Sequence, residues 1–175
     1  MTSAAPMGAE TTAPAPTPRR IGMRATLAAL AFIEAWIGFS DMPALFGDTS
    51  NMSGFGGGLI KAHLAAHPLL AIAALVFAGL DHVRHAIIAL GTIIIMTWLG
   101  DLPSVVAHGL EFKSAFSTIE TTARIIVFPL AAACAIAYAA RNEQLARATL
   151  LVAVPTLFNI VLLVGFVIGV LIYGF

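Results

Sequence analysis

The sequence predicts an all-α integral membrane protein in which about five transmembrane helices form a bundle. Hydrophobic residues make up 59% of the 175 residues and charged residues only 10%, which leaves too little polar surface to cover a water-soluble domain. The chain also contains five apolar runs of about 20 residues, the length that a helix needs to cross a hydrocarbon core about 30 Å thick. Because unpaired backbone groups are not tolerated in hydrocarbon, each run is expected to be helical.

The predicted spans cover about 22–46, 59–80, 83–100, 118–140 and 149–174. They follow a Pro/Ala-rich segment, residues 1–20, that we expect to be a disordered cytoplasmic tail. Residues 21–175 then form a single polytopic transmembrane domain. The Gly-rich stretch at 54–58 predicts the end of a flexible loop before the second span, and residues 102–117 predict an amphipathic segment that lies in the membrane interface.

The basic residues predict the orientation of the chain. Those on one side of the predicted spans are Arg19, Arg20, Arg24, Arg84, Arg141 and Arg147. The opposite side carries Lys61 and Lys113. Because cytoplasmic loops are enriched in Lys and Arg, we expect a cytoplasmic N-terminus and a periplasmic C-terminus. The excess of Arg over Lys in an Ala-rich chain favours the bacterial inner membrane.

Two histidines in the second predicted span are candidate cofactor ligands. His63 and His67 are four residues apart, so both imidazoles lie on the same helix face. This spacing suits chelation of a metal ion, and imidazole is a ligand for zinc, copper and iron. The other candidate metal ligands are Asp41, Asp101 and Glu111, which are expected near the outer face. The alternative is that His63 is hydrated at the interface and that His67 hydrogen-bonds to a neighbouring helix.

A tetrapyrrole is the second cofactor that the histidines suggest, with His67, His63 and His108 as candidate binding residues. His82 and His85 lie at the opposite membrane face, about 20 Å from His67 by helix rise, so these pairs cannot ligate one haem within a single chain. A pigment with a single axial ligand needs only His67.

Glu34 lies near the middle of the first predicted span, where a short side chain cannot reach water. It therefore needs a partner or a proton, and Asn159 and Arg124 are the candidate partners. Either it is a neutral, hydrogen-bonded acid, or it carries protons or binds a quinone head group. Glu120 and Arg124, four residues apart, are expected to pair and complete the set of candidate proton-carrying residues.

Three functions remain open from the sequence. We favour a small membrane subunit of a larger redox or energy-converting complex, whose polar cluster binds a metal ion, a tetrapyrrole or a quinone. The alternatives are a structural scaffold subunit without a cofactor, and a proton-coupled or metal transporter that uses Glu34 and His67. The chain has little extramembrane sequence, so we expect no catalysis by this chain alone and assign no catalytic residue. The expected partners are the lipid bilayer and other membrane subunits, and no nucleic acid.

Overall fold

The computed structural model describes residues 17–47, 54–110, 112 and 114–174, with Tyr173 described for its backbone only. This part of the chain contains helices and no strands, and five of its helices are long and apolar enough to cross a membrane. The predicted fold class and number of spans are thus confirmed. Residues 1–16 of the predicted tail and Glu111 lie outside the described residues.

The helices are α1 (Pro18–Asp41), α2 (Pro43–Phe46), α3 (Gly54–Gly79), α4 (Val83–His108), α5 (Ala115–Thr122), a π-helical turn (Ala123–Val127), α6 (Phe128–Ala140) and α7 (Leu145–Tyr173). The segments α5, π-helical turn and α6 form one continuous span, Ala115–Ala140. Along the bundle α1 packs on α3, α3 on α4, α4 on α6 and α6 on α7, and α7 returns to contact α1.

Two predicted span boundaries were wrong, the start of the second span and the end of the third. The glycines at 54–58 are helical, so α3 begins five residues before the predicted span, and residues 102–108 continue α4 through Pro103. The physical reason is the cost of unpaired backbone groups in hydrocarbon, which outweighs the poor helix propensity of Gly. His63 and His67 consequently lie in the third and fourth turns of α3, and His108 is the last residue of α4.

The two ends of the bundle differ in their side chains. We call the end at which α1, α4 and α7 begin the arginine end, because Arg19, Arg20 and Arg84 lie there. The opposite end, at which α1 and α4 finish and α5 begins, carries Asp41, Asp101 and Glu120, and we call it the carboxylate end.

Toward the arginine end the core is apolar and rich in alanine. Its members include Leu27, Leu30, Ala31, Ala71, Ala74, Ala78, Ala86, Ile87, Ala135, Ala139 and Ala148. Small side chains let transmembrane helices approach closely. Gly91 shows how close: a Cβ there would lie 2.7 Å from Cγ1 of Ile136 on α6. Thr149 is buried in this region, and its hydroxyl donates to the Leu145 carbonyl of its own helix at 2.8 Å. This half of the bundle is therefore sealed.

Proline shapes the contact between α4 and α6. Pro129 has no N–H, so the carbonyl of Ile125, four residues earlier, lacks its ordinary α-helical donor. The indole Nε1–H of Trp98 on α4 donates to this carbonyl at 3.1 Å. The same region contains the π-helical turn that precedes α6. Trp98 therefore supplies a helix–helix hydrogen bond.

Candidate functional site

The carboxylate of Glu34 is hydrogen-bonded to two other helices. The hydroxyl of Thr156 on α7 donates to Oε1 of Glu34 at 2.9 Å, and Nε2 of His67 on α3 lies 3.1 Å from Oε2. The side chain of His67 is 6% exposed and that of Glu34 18% exposed. Asn159 and Arg124, the partners expected from the sequence, line the same cavity, but the hydrogen bonds to Glu34 come from His67 and Thr156. His67 thus bonds to a neighbouring helix, as the alternative interpretation of the histidines expected.

The register of α1 against α3 places this contact deep in the bundle. At the arginine end, the guanidinium of Arg24 donates to the carbonyls of Ala78 and Gly79, the last residues of α3, at 3.1 and 2.7 Å. Glu34 follows Arg24 by ten residues, which corresponds to about 15 Å along a helix. A hydrocarbon core is about 30 Å thick, so the contact between Glu34 and His67 lies near the middle of the membrane.

A close approach of two backbones holds α1 and α3 together beside this contact. Gly38 lies one turn after Glu34 and packs on Pro68, which directly follows His67 and is fully buried. A Cβ at Gly38 would lie 3.0 Å from the Pro68 nitrogen and 3.3 Å from Cγ of His67. The missing side chain at Gly38 is therefore what allows the two helices to meet at this distance.

The Glu34–His67 contact lines a cavity of about 180 Å³ that all five spans enclose. Six of the nine residues singled out from the sequence line it: Glu34, Asp41, His63, His67, Asp101 and Arg124. Its apolar walls come from Ile37, Ile93, Ile94 and Phe128. Residues from four different spans that the sequence placed near one face are thus gathered around a common space.

A second, outer groove of about 490 Å³ adjoins this cavity at the carboxylate end. Asp101 and Arg124 line both spaces, while Ser104, His108 and Glu120 line the groove alone. Arg124 and Glu120 form an ion pair at 3.2 Å, as their spacing predicted. Polar side chains therefore extend from Glu34 to the surface at the carboxylate end, whereas the core toward the arginine end is apolar.

The histidines do not all meet. The rings of His63 and His67 have centroids 5.1 Å apart, but His108 lies in the outer groove, where its Nδ1–H donates to the Ser104 carbonyl at 3.2 Å. His63 contributes a further feature, because its Nδ1 is buried and has no hydrogen-bond partner among the described residues. A buried polar atom of this kind calls for a bound water or ligand.

The cavity gives no support to the two cofactors that the histidines suggested. Within the described ranges, no group of three or more His, Cys, Asp and Glu residues is arranged to hold a metal ion. Asp41 and Asp101 surround the same cavity as His63 and His67 without forming such a set, and Glu111 lies outside the described residues. The cavity volume of about 180 Å³ is also below the roughly 300 Å³ at which pockets for larger organic ligands begin.

No family model, curated protein or solved structure matches this chain.

Sequence reasoning missed Thr156. The signal was present, since Thr156 follows Pro155 and precedes Asn159 by three residues in a largely apolar span. A hydroxyl usually bonds to the carbonyl four residues earlier in its own helix, as Thr149 does. Thr156 instead donates to Glu34, and sequence alone does not distinguish these two cases.

Proposed function

We propose that this chain is a small membrane subunit of an energy-converting complex in which the Glu34–His67 pair binds and releases protons. The observation that supports this proposal is the contact itself: two ionisable side chains from different helices are 3.1 Å apart in a cavity near mid-membrane. Ionisable residues at this depth are costly. Apolar side chains would join the same helices without that cost, so packing alone does not account for the pair.

The chemistry of the pair suits proton exchange. With one shared proton it is neutral overall, either as a carboxylic acid beside an imidazole or as a carboxylate beside an imidazolium. Gain or loss of a proton changes its charge by one unit, and Asp41, Asp101 and Arg124 around the cavity can offset that change. Imidazole is the side chain best suited to relay protons near neutral pH.

The distribution of polar residues supports access from one side only. His63, Asp101 and Arg124 line a route from the pair to the outer groove, while Leu27, Leu30 and the alanine-rich core close the other half of the bundle. Such an arrangement favours a site that takes protons from one face and serves a partner within the membrane. An autonomous transporter would need a second, opposite opening.

The surface of α7 supports a role within a complex. From residue 160 to residue 172 none of the described side chains is buried, and they include Val161, Leu163, Phe166 and Leu171. This half of the helix is apolar on all sides and packs little against its own chain. It is available to lipid or to other membrane subunits, and we propose that it contacts the latter.

A second candidate function is binding of a quinone head group in the same cavity. The observation that favours it is the unpartnered Nδ1 of His63 beside walls that combine Ile and Phe with polar groups. A protonated Nδ1 would donate to a quinone carbonyl. Reduction would consume two electrons from a redox partner and two protons, which the Glu34–His67 pair would relay.

The location of the protein is also a proposal. Following the arginine distribution, we place the arginine end and the N-terminus in the cytoplasm and the C-terminus in the periplasm of a bacterial inner membrane. The cavity and the outer groove then face the periplasm.

Infrared difference spectroscopy of the protein in lipid tests the proposed function. Spectra recorded between two pH values should show the C=O band of a carboxylic acid that appears on protonation and disappears in Glu34→Gln. Glu143→Gln is the matched control, because Glu143 is exposed beyond α6 and its replacement should leave this band unchanged. If the band persists in Glu34→Gln, or is absent from the unaltered protein, a scaffold subunit would be the better account.

Native electrophoresis after mild extraction tests whether the chain belongs to a complex, because a complex subunit should migrate with other chains.

A further inference from the structure

We propose that the arginine end binds the phosphate of an anionic glycerophospholipid in an open cavity between the beginnings of α1, α4 and α7. The cavity measures about 710 Å³. Its ionisable lining residues are Arg19, Arg20, Asp81, His82, Arg84 and His85. This site lies at the opposite end of the bundle from the outer groove and shares no lining residue with the cavity of the Glu34–His67 pair, so it does not depend on the function proposed for that pair.

The cavity carries an excess of positive charge. Three arginines face a single carboxylate among the lining residues, and that carboxylate is already engaged. Asp81 accepts from Arg20, with N–O distances of 2.8 and 3.0 Å, and lies 3.6 Å from Arg24. Within the described part of the chain, neither Arg19 nor Arg84 has an ion-pair partner, and both side chains are exposed. Two guanidinium groups therefore line an open space with no counter-ion among the described residues.

The backbone adds to this positive field. Thr17, His82 and Gln144, the residues that precede α1, α4 and α7, all line the cavity. At none of these three described helix starts does a side chain cap the first turn, and no acidic residue occurs in any of the first turns. The positive ends of three helix dipoles thus border the same space.

The position of the cavity identifies a lipid as the source of the phosphate. The cavity lies at the ends of membrane-spanning helices, which is the depth of the lipid head groups. Met23, Val83 and Leu145 form apolar parts of its lining and suit the glycerol and the first acyl carbons. Basic pockets between transmembrane helices are typical sites for anionic lipid head groups, and guanidinium groups bind phosphate oxygens in a bidentate manner.

The test compares lipid retention by native mass spectrometry. The full chain is delipidated in a neutral detergent and offered mixed micelles of phosphatidylglycerol or of phosphatidylcholine. We expect selective retention of phosphatidylglycerol, with apparent affinity falling about fivefold for each arginine removed in Arg19→Ala and Arg84→Ala. Arg141→Ala is the matched control: it removes one positive charge at the same end, outside the cavity, and should retain the lipid. Arg84→Lys keeps the positive charge and should retain phosphatidylglycerol better than Arg84→Ala. This comparison separates the loss of a lipid contact from the loss of the fold.

Three results would overturn the proposal. Equal retention of the two lipids would show that negative charge is not recognised. Equal loss in Arg141→Ala and Arg84→Ala would show that the charge of the whole face, not the cavity, attracts the lipid. Displacement of phosphatidylglycerol by millimolar inorganic phosphate would identify a site for free phosphate instead of lipid.

Discussion

Nε2 of His67 lies 3.1 Å from Oε2 of Glu34, although the two residues are 33 positions apart in the sequence. The other carboxylate oxygen accepts from Thr156, so a single side chain joins α1, α3 and α7. These bonds lie away from bulk water, and they hold the three helices in register. The same three-way contact is the proposed proton site, which means that structure and function depend on the same few atoms.

Replacing Thr156 with Val should destabilise the bundle. The variant keeps the shape of the side chain but removes the hydroxyl that donates to Glu34, and interhelical hydrogen bonds in membranes contribute about 0.6–1.7 kcal/mol. We expect a loss of this size in the free energy of unfolding, measured by denaturant titration in mixed micelles. Thr149→Val is the control, because Thr149 is equally buried but bonds within its own helix. Equal losses of unfolding free energy in the two variants would show that the Thr156–Glu34 bond stabilises the protein no more than a hydrogen bond within a helix.

Gly38→Ala should disturb the contact of α1 with α3. The added Cβ would lie 3.0 Å from the backbone nitrogen of Pro68, which cannot move independently of α3, and overpacking of this kind costs roughly 1–3 kcal/mol. Gly22→Ala serves as the control, since nothing lies within 4 Å of a Cβ there and a helical Gly→Ala change gains up to about 1 kcal/mol. Thermal unfolding of both variants checks the prediction. If the Gly38→Ala protein is as stable as the unaltered chain, α1 and α3 can move apart without any loss in the free energy of unfolding.

The bond from Trp98 to Ile125 should show coupling to Pro129. Trp98→Phe removes the indole donor and leaves the Ile125 carbonyl without it, at a cost of about 1–3 kcal/mol for an unsatisfied buried group. Pro129→Ala restores the N–H that a helix normally offers to that carbonyl. In a double-mutant cycle, Trp98→Phe should therefore cost less in the Pro129→Ala background. Strict additivity of the two free-energy changes would mean that the indole bond is not a replacement for the missing backbone donor.

Access to the cavity should be one-sided. In a Cys134→Ser background, His63→Cys should react with a membrane-impermeant thiol reagent added at the carboxylate end. Leu27→Cys, at a fully buried position of the apolar core, should react from neither side. Labelling in sealed vesicles of both orientations provides the measurement. Reaction of His63→Cys from the arginine end would contradict a sealed half-bundle.

Much of the fold followed from the sequence, and the reasons for the failures are physical. Apolar run length predicted five spans, because membrane thickness sets helix length. The start of α3 was missed because Gly54 to Gly58 have loop-like propensities, and hydrocarbon overrides propensity. For the site, position along each span predicted that Asp41, His63, Asp101 and Arg124 lie at a similar depth, and they do line one cavity. Depth does not specify which side chains touch. The contact of Glu34 with His67 depends on the rotation of both helices, which the Gly38–Pro68 approach sets.

The most direct test of the central claim is the protonation of His67 itself. Nitrogen-15 NMR of histidine-labelled protein in lipid, with the His67 signal assigned by its loss in His67→Gln, follows the ring nitrogens as the pH is changed. If the pair exchanges a proton, the ring-nitrogen signals of His67 change with pH in the folded protein, and Glu34→Gln alters that change, while Glu143→Gln leaves it as it is. An His67 signal that stays constant across the pH range of the folded protein, with or without Glu34, would show that the pair holds helices together and exchanges no proton.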